Sequence, residues 1–241
     1  MSRLIVVSNR VTPPTGKGGE STGGLAMALA AALREYSGIW FGWSGKTAPD
    51  FTGQLNMQRV DGVTAATVDL EETDYDEYYN GYANKTLWPL IHYSSDLTAY
   101  DRSYGESYER VNRRFAETLR ALIEPDDLIW VHDYHLIPMA RELRKLGGRN
   151  RIGFFLHIPW PAHQLVVTLP GHRQLVQAMF DYDLVGFQTP DYAQAFEEYV
   201  LSEAGGERGE DGALRAFDRK VTVGAFPIGI DAADFAQMLR T

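Results

Sequence analysis

The sequence predicts an α/β fold, a Rossmann-like parallel sheet with helices on both faces. Short runs of β-branched and aromatic residues alternate along the chain with longer segments of helical period. Those short runs are apolar on both faces, as buried parallel strands are. With 241 residues, 44% of them hydrophobic, the chain can bury a substantial core. It has no internal repeat and no low-complexity tract.

Leu4–Val7, four consecutive aliphatic residues, reads as the first strand. The Pro/Gly-rich segment Arg10–Gly24 reads as a loop, and Gly24–Tyr36 as a helix of small and apolar residues. Ile39–Trp43 and Ala65–Val68 follow as strands, then a tyrosine-rich helix at Glu71–Tyr82 and a longer one at Tyr104–Ile123. Pro125-Asp126-Asp127 turns into the strand Leu128–Val131, and Leu136–Leu146 is helical. The last stretch alternates strands at Arg151–Leu156, Leu184–Phe187 and Val221–Phe226 with helices at Arg173–Phe180, Asp191–Glu203 and Asp231–Leu239. Only Gly205–Gly212 reads as a flexible surface loop.

Composition excludes several functions. Without cysteine there is neither a disulfide framework nor a thiolate metal site. Acidic residues outnumber basic ones by 32 to 23, and the net charge of −9 speaks against nucleic acid, which needs a basic stripe. The nearest approaches to one, Arg110, Arg113 and Arg114 and then Arg141, Arg144 and Lys145, read as solvated helix faces. Leu4–Val7 is too short for a secretory signal and has no cleavage site after it. Leu25–Leu33 falls far below the ~20 residues that span a bilayer, so a cytoplasmic protein is expected.

Open α/β sheets bind ligands at the carboxyl ends of their strands. Ser8-Asn9-Arg10 follows the first strand, His132-Asp133-Tyr134-His135 the fourth, His157-Ile158-Pro159 the fifth, Gln188-Thr189 the sixth and Pro227-Ile228-Gly229 the seventh. Arg10 is a surface arginine or a bidentate phosphate ligand. Asp133 is a helix N-cap or a carboxylate that accepts from sugar hydroxyls. His157 is a core histidine bonded to backbone or a site residue. His132 and His135 stand three apart as metal ligands would, but no third ligand is evident. The block Tyr75, Tyr78, Tyr79, Tyr82, Trp88 and Tyr93 suits either core packing or a sugar-binding wall.

Ser21-Thr22-Gly23-Gly24 opens a helix after a glycine-rich loop, a place receptive to phosphate or an ordinary cap. The dinucleotide fingerprint and the Walker loop both fail there, because serine replaces the third glycine and Lys17 precedes glycine. Asp181-Tyr182-Asp183 has the Asp-x-Asp spacing of a metal–diphosphate site, yet it precedes a strand and reads as a turn. One carboxylate at the expected face is too few for ordinary glycoside hydrolysis. Acyl transfer lacks both a Gly-x-Ser-x-Gly elbow and a cysteine nucleophile.

Eight strings in order carry a resemblance: Val6-Val7-Ser8-Asn9-Arg10, Ser21-Thr22-Gly23-Gly24-Leu25, Trp40-Phe41-Gly42-Trp43-Ser44-Gly45, Glu77-Tyr78-Tyr79-Asn80, Leu87-Trp88-Pro89, Trp130-Val131-His132-Asp133-Tyr134-His135-Leu136, Gly153-Phe154-Phe155-Leu156-His157-Ile158-Pro159 and Phe226-Pro227-Ile228-Gly229-Ile230. Over nearly its whole length the chain resembles the trehalose-6-phosphate synthases, the retaining glycosyltransferases of family 20.

The resemblance implies a GT-B type enzyme with a cleft between two Rossmann-like halves. Such enzymes move glucose from UDP-glucose to glucose 6-phosphate and release α,α-trehalose 6-phosphate without a metal or other cofactor. It assigns Arg10 and Tyr79 to the acceptor's phosphate, Trp88 and Asp133 to its sugar, Gly23 and Gly24 to the donor diphosphate, and His157 to the donor glucose. Asp133 and His157 are then the catalytic pair. Family members are about twice this length. Residues 1–241 are therefore expected to form the N-terminal acceptor-binding domain, without the C-terminal nucleotide-sugar domain and inactive alone. Expected partners are the two small-molecule substrates, with no nucleic acid and no membrane; a homo-oligomer stays open. So do a different acceptor, such as glycerol 3-phosphate, and a non-catalytic sugar-phosphate-binding module.

Overall fold

A computed structural model describes residues 3–11, 33, 38–60 and 63–227. Most of the Arg10–Gly24 loop, the Gly24–Tyr36 helix apart from Leu33, and the Asp231–Leu239 helix lie outside these residues. Among the described residues ten strands form one sheet: β1 (Leu4–Arg10), β2 (Ile39–Ala48), β3 (Asn56–Val60), β4 (Val63–Glu71), β5 (Leu128–His132), β6 (Arg151–Leu156), β7 (Leu184–Phe187), β8 (Glu207–Arg208), β9 (Leu214–Ala216) and β10 (Arg219–Ala225). Their spatial order is β3-β4-β2-β1-β5-β6-β7-β10-β9-β8. The seven strands expected from the sequence, β4-β2-β1-β5-β6-β7-β10, are parallel throughout.

Three departures have local causes. β3, the polar run Asn56-Met57-Gln58-Arg59-Val60, has no apolar pattern of its own; antiparallel pairing with β4 makes it a strand. The expected Gly205–Gly212 loop instead contains a short strand, because Glu207–Arg208 pairs with β9 and Arg208 forms an ion pair with Glu197 on the helix Pro190–Ser202. The tyrosine-rich helix is also longer and wider than expected. It is α-helical at Glu72–Asp74, π-helical at Tyr75–Leu87 and α-helical again at Trp88–Ile91.

The helices Arg102–Arg120, Met139–Lys145, His172–Met179 and Pro190–Ser202 join the π-helical segment in one core with Ile5, Val7, Phe41, Val131 and Phe154. Within it Phe41 meets Phe115 edge to face at 5.6 Å. On the opposite face Val6, Trp40 and Ala65 pack with Leu33, and Trp40 Nε1 donates to Ser8 Oγ at 2.8 Å.

The two basic groups expected on solvated helix faces are largely structural. Arg110 donates to the fully buried Asp74 at 2.6 Å, and Arg114 bonds both Asp74 and Glu71. Ser107 Oγ adds a third donor to Asp74 at 3.0 Å. Arg144 donates to the carbonyls of Gly148 and Asn150 at 3.0 and 2.7 Å. Their acceptors lie elsewhere in the chain or on a neighbouring turn, so charge spacing along one helix could not identify them.

Candidate active site

β2, β1, β5 and β6 lie side by side, so the segments leaving their carboxyl ends converge. A register shift between Val7 and Arg10 breaks the β1–β2 ladder there and pairs Arg10 with Trp43. The Arg10 guanidinium lies 5.8 Å from the Trp43 ring centre. Gly45, at φ +87°, leaves room for it: a Cβ at that position would come within 2.8 Å of Arg10 Nε.

The π-helical segment supplies the next wall. Its lower winding splits the tyrosines between two directions instead of one stripe. Tyr75 and Tyr79 stack on one another at 5.6 Å and both meet Trp43. Tyr78 and Tyr82 turn to Tyr108 on the helix Arg102–Arg120. That helix comes close because position 81 is glycine; a Cβ there would sit 2.6 Å from the Tyr104 ring. Tyr78 is wholly buried and donates to Asn9 Oδ1 at 2.8 Å, locking this helix to the β1 exit.

From Tyr79 the aromatic wall continues through His135, stacked at 5.9 Å, to Tyr134 at 4.0 Å from His135 and then to Trp88 at 5.7 Å from Tyr134. Trp88 is 43% exposed, so its ring is open to a ligand as well as to the wall. Trp88 and Arg10 thus lie at the two ends of one chain of ring contacts.

Asp133 follows β5 with φ +74° and ψ +164°, a backbone region populated almost only by glycine. Its N–H donates to Phe155 O at 2.8 Å and its carbonyl accepts from Leu136 N at 3.1 Å, which holds the strained turn. The helix Arg102–Arg120 braces the same turn: Tyr108 Oη donates to Tyr134 O at 2.6 Å and Asn112 Nδ2 to His135 O at 3.1 Å. The N-cap reading of Asp133 fails, because its side chain makes no cap hydrogen bond. Asp133 Oδ1 is buried without a partner. Asp133 thus combines a strained backbone with a buried, unpaired carboxylate oxygen at a strand exit.

Beside it, His132 Nδ1 and His157 Nε2 are 2.9 Å apart across the β5 and β6 exits. Among the described residues no group of three His, Asp or Glu side chains could hold a metal ion. Asp181-Tyr182-Asp183 lies at the opposite edge of the sheet. Tyr182 Oη donates to Leu136 O at 2.9 Å, and Asp183 Oδ2 accepts from Ile152 N at 2.7 Å, which makes this segment a structural turn.

Of the residues expected at a site, Arg10, Tyr79, Trp88, Asp133 and His157 leave or flank one edge of the sheet, while Gly23 and Gly24 lie outside the described residues. Tyr134 and His135 complete the wall but fall outside the tyrosine-rich block that the sequence offers as one. Their only signal was position, directly after Asp133 at a strand exit.

Burial shapes the titration of this edge. It pushes the Asp133 carboxyl up to about 6, against the backbone amides of Tyr134 and His157. It pushes His157 down to about 4 and His135 to about 3, and His132 well below the usual imidazole range. Near pH 5 the unfolded chain therefore binds protons on these three imidazoles that the folded chain refuses. Asp133 works the other way and holds one proton that the unfolded chain releases. The net uptake on unfolding is one to two protons, so stability should rise with pH between 4.5 and 6 by about 1–3 kcal/mol per unit. Urea unfolding across that range would show it; a flat or falling profile would contradict the buried neutral histidines.

Residues 2–241 match the family described as Glycosyltransferase family 20. The chain belongs to this family. A trehalose-6-phosphate synthase of Sinorhizobium fredii is 47% identical to the family-20 chain over 242 residues, covering 100% of it and 52% of the relative. Among solved structures, an α,α-trehalose-phosphate synthase (UDP-forming) of Burkholderia xenovorans in complex with glucose-6-phosphate superposes with a TM-score of 0.90 at 46% identity, covering 99% of this chain and 52% of that one. A trehalose-6-phosphate protein of E. coli bound with UDP-2-fluoro glucose does so at 0.90 with 41% identity, covering 98% and 51%. The chain spans about half the length of the curated relatives it matches. Among the described residues no helix is long and apolar enough to cross a membrane.

Proposed function

We propose that this chain is the N-terminal, acceptor-binding half of a cytoplasmic enzyme that transfers glucose from UDP-glucose to glucose 6-phosphate, with retention, giving α,α-trehalose 6-phosphate. The observation that carries the reading is the continuous wall from Arg10 through Trp43, Tyr79, His135 and Tyr134 to Trp88 beside a lone carboxylate with one buried oxygen unpaired, in a chain of family 20. One end offers a guanidinium for a phosphate and the other an exposed indole for a sugar face.

Arg10 and Tyr79 hold the acceptor's phosphate, and Trp88 and Asp133 its ring. Asp133 is mostly ionised at pH 7 with a carboxyl titrating at about 6, so it accepts from sugar hydroxyls. His157, neutral at that pH, contacts the donor glucose, and Gly23-Gly24 meet the donor diphosphate. In the transfer, the bond from the donor's anomeric carbon to the phosphate oxygen breaks as a bond to the acceptor hydroxyl forms on the same face. The departing phosphate takes the hydroxyl proton. No protein nucleophile is needed, and the pocket's task is to stabilise an oxocarbenium-like sugar.

Titration calorimetry of the chain with glucose 6-phosphate, glycerol 3-phosphate and glucose tests this reading. Weak saturable heat with glucose 6-phosphate alone is expected, together with no release of UDP from UDP-glucose above background. Absence of any sugar-phosphate binding, or preference for glycerol 3-phosphate, would overturn the acceptor assignment.

A further inference from the structure

The histidine pair at the exits of β5 and β6 has a proton arrangement that its surroundings decide. With the two nitrogens 2.9 Å apart, the ring centres are separated by 5.1 Å and the planes differ by 19°. That separation is close to the greatest such a contact allows, so the rings meet nearly end to end, as a straight N–H···N bond requires. One nitrogen must donate and the other accept. Both rings are neutral near pH 7, since burial depresses both.

His132 Nε2 decides which. It is buried, on a residue 1% exposed, and has no partner among the described residues. If His157 donated, His132 Nδ1 would be bare and its single proton would sit on Nε2, an orphaned buried N–H. Orphaned buried N–H groups are rarer in folded proteins than under-satisfied acceptors, so the arrangement that leaves His132 Nε2 a bare acceptor is the favoured one. The proton therefore belongs on His132 Nδ1, which donates to His157 Nε2. His157 is left with its own proton on Nδ1, the ring nitrogen not engaged by His132.

We infer that His132 is a positioning residue that fixes His157 in the Nδ1–H tautomer, so that His157 meets its ligand as a hydrogen-bond donor. Neutral imidazole in water favours the Nε2–H form, so the arrangement must be imposed by the neighbour. A donor at this position suits an oxygen-rich ligand whose lone pairs face it, such as a sugar oxygen. That part rests on the reading of His157 as a contact to the transferred glucose. The proton arrangement does not.

Histidine-selective 15N labelling and long-range 1H–15N correlation spectra of the chain at pH 7 report each ring's tautomer directly. His157 should show a pyrrole-like Nδ1 and a pyridine-like Nε2. In His132→Asn the amide Nδ2 stands near the former Nδ1 and can still donate, so the pattern should persist. In His132→Leu no donor remains and His157 should shift toward Nε2–H, with the resonances of His92, His135, His163 and His172 reporting an intact fold. An Nε2–H His157 in the unaltered chain overturns the inference, as does loss of the Nδ1–H form in a folded His132→Asn variant. Should His132→Leu fail to fold, the unaltered chain and His132→Asn still decide. Adding UDP-glucose, at a concentration where shifts of other resonances show that it has bound, separates the two claims: a His157 Nδ1 resonance that then stays put counts against the donor contact and leaves the tautomer assignment standing.

Discussion

Asp74→Ala should destabilise the fold by about 3 kcal/mol, the low end of the range for breaking a buried ion pair. Asp74 is fully buried and receives Ser107, Arg110 and Arg114. Removing its carboxylate leaves two guanidinium groups, each about a quarter exposed, facing the cavity. Glu77 and Glu71 remain to pair with them, which keeps the loss from the top of the range. Urea unfolding should show a lower midpoint with little change in slope. The exposed pair Arg102–Glu106 is the control: Arg102→Ala should cost no more than about 0.5 kcal/mol, because both side chains are largely in water. Equal effects at the two sites would mean that the Asp74 cluster does not anchor the π-helical segment.

Arg10→Ala should weaken glucose 6-phosphate binding by roughly 10- to 150-fold, the loss of about 1.5–3 kcal/mol from a charge-assisted hydrogen bond. Stability should barely change, since the Arg10 side chain is exposed and its described contacts are the Trp43 face and the cradle at Gly45. Titration calorimetry with glucose 6-phosphate and with unphosphorylated glucose separates phosphate from sugar. Only the phosphorylated ligand should lose affinity. An unchanged dissociation constant for glucose 6-phosphate would remove Arg10 from the acceptor site, while an equal loss for both ligands would mean that the wall itself had shifted.

Much of the framework is readable along the chain. Strands such as Arg151–Leu156 and Leu184–Phe187 appear at their expected bounds, because a strand apolar on both faces has nowhere to go but the middle of a covered sheet. The edge elements were not readable in this way. β3 and β8 are held by hydrogen bonds to a neighbour, and such pairing leaves no periodic mark on a polar sequence. The helix around Tyr79 shows a third kind of limit. Reading it at 3.6 residues per turn puts its tyrosines in one stripe, whereas the π-helical winding sends Tyr75 and Tyr79 to Trp43 and Tyr78 and Tyr82 to Tyr108.

By itself the sequence determined the parallel α/β sheet, the edge at which its candidate residues gather and a family resemblance carried by the strings around Arg10, Asp133 and His157. Hydrophobic period and the order of strand exits are local properties, and local properties survive in one dimension. Tertiary structure alone decided that Asp133 is strained and leaves one carboxylate oxygen buried without a partner, where a cap was equally plausible. It also decided that Arg110 and Arg114 serve a buried carboxylate, and that His132 faces His157. Each depends on which distant group fills the space beside a side chain, and burial and hydrogen bonding are settled only when the chain has closed around it.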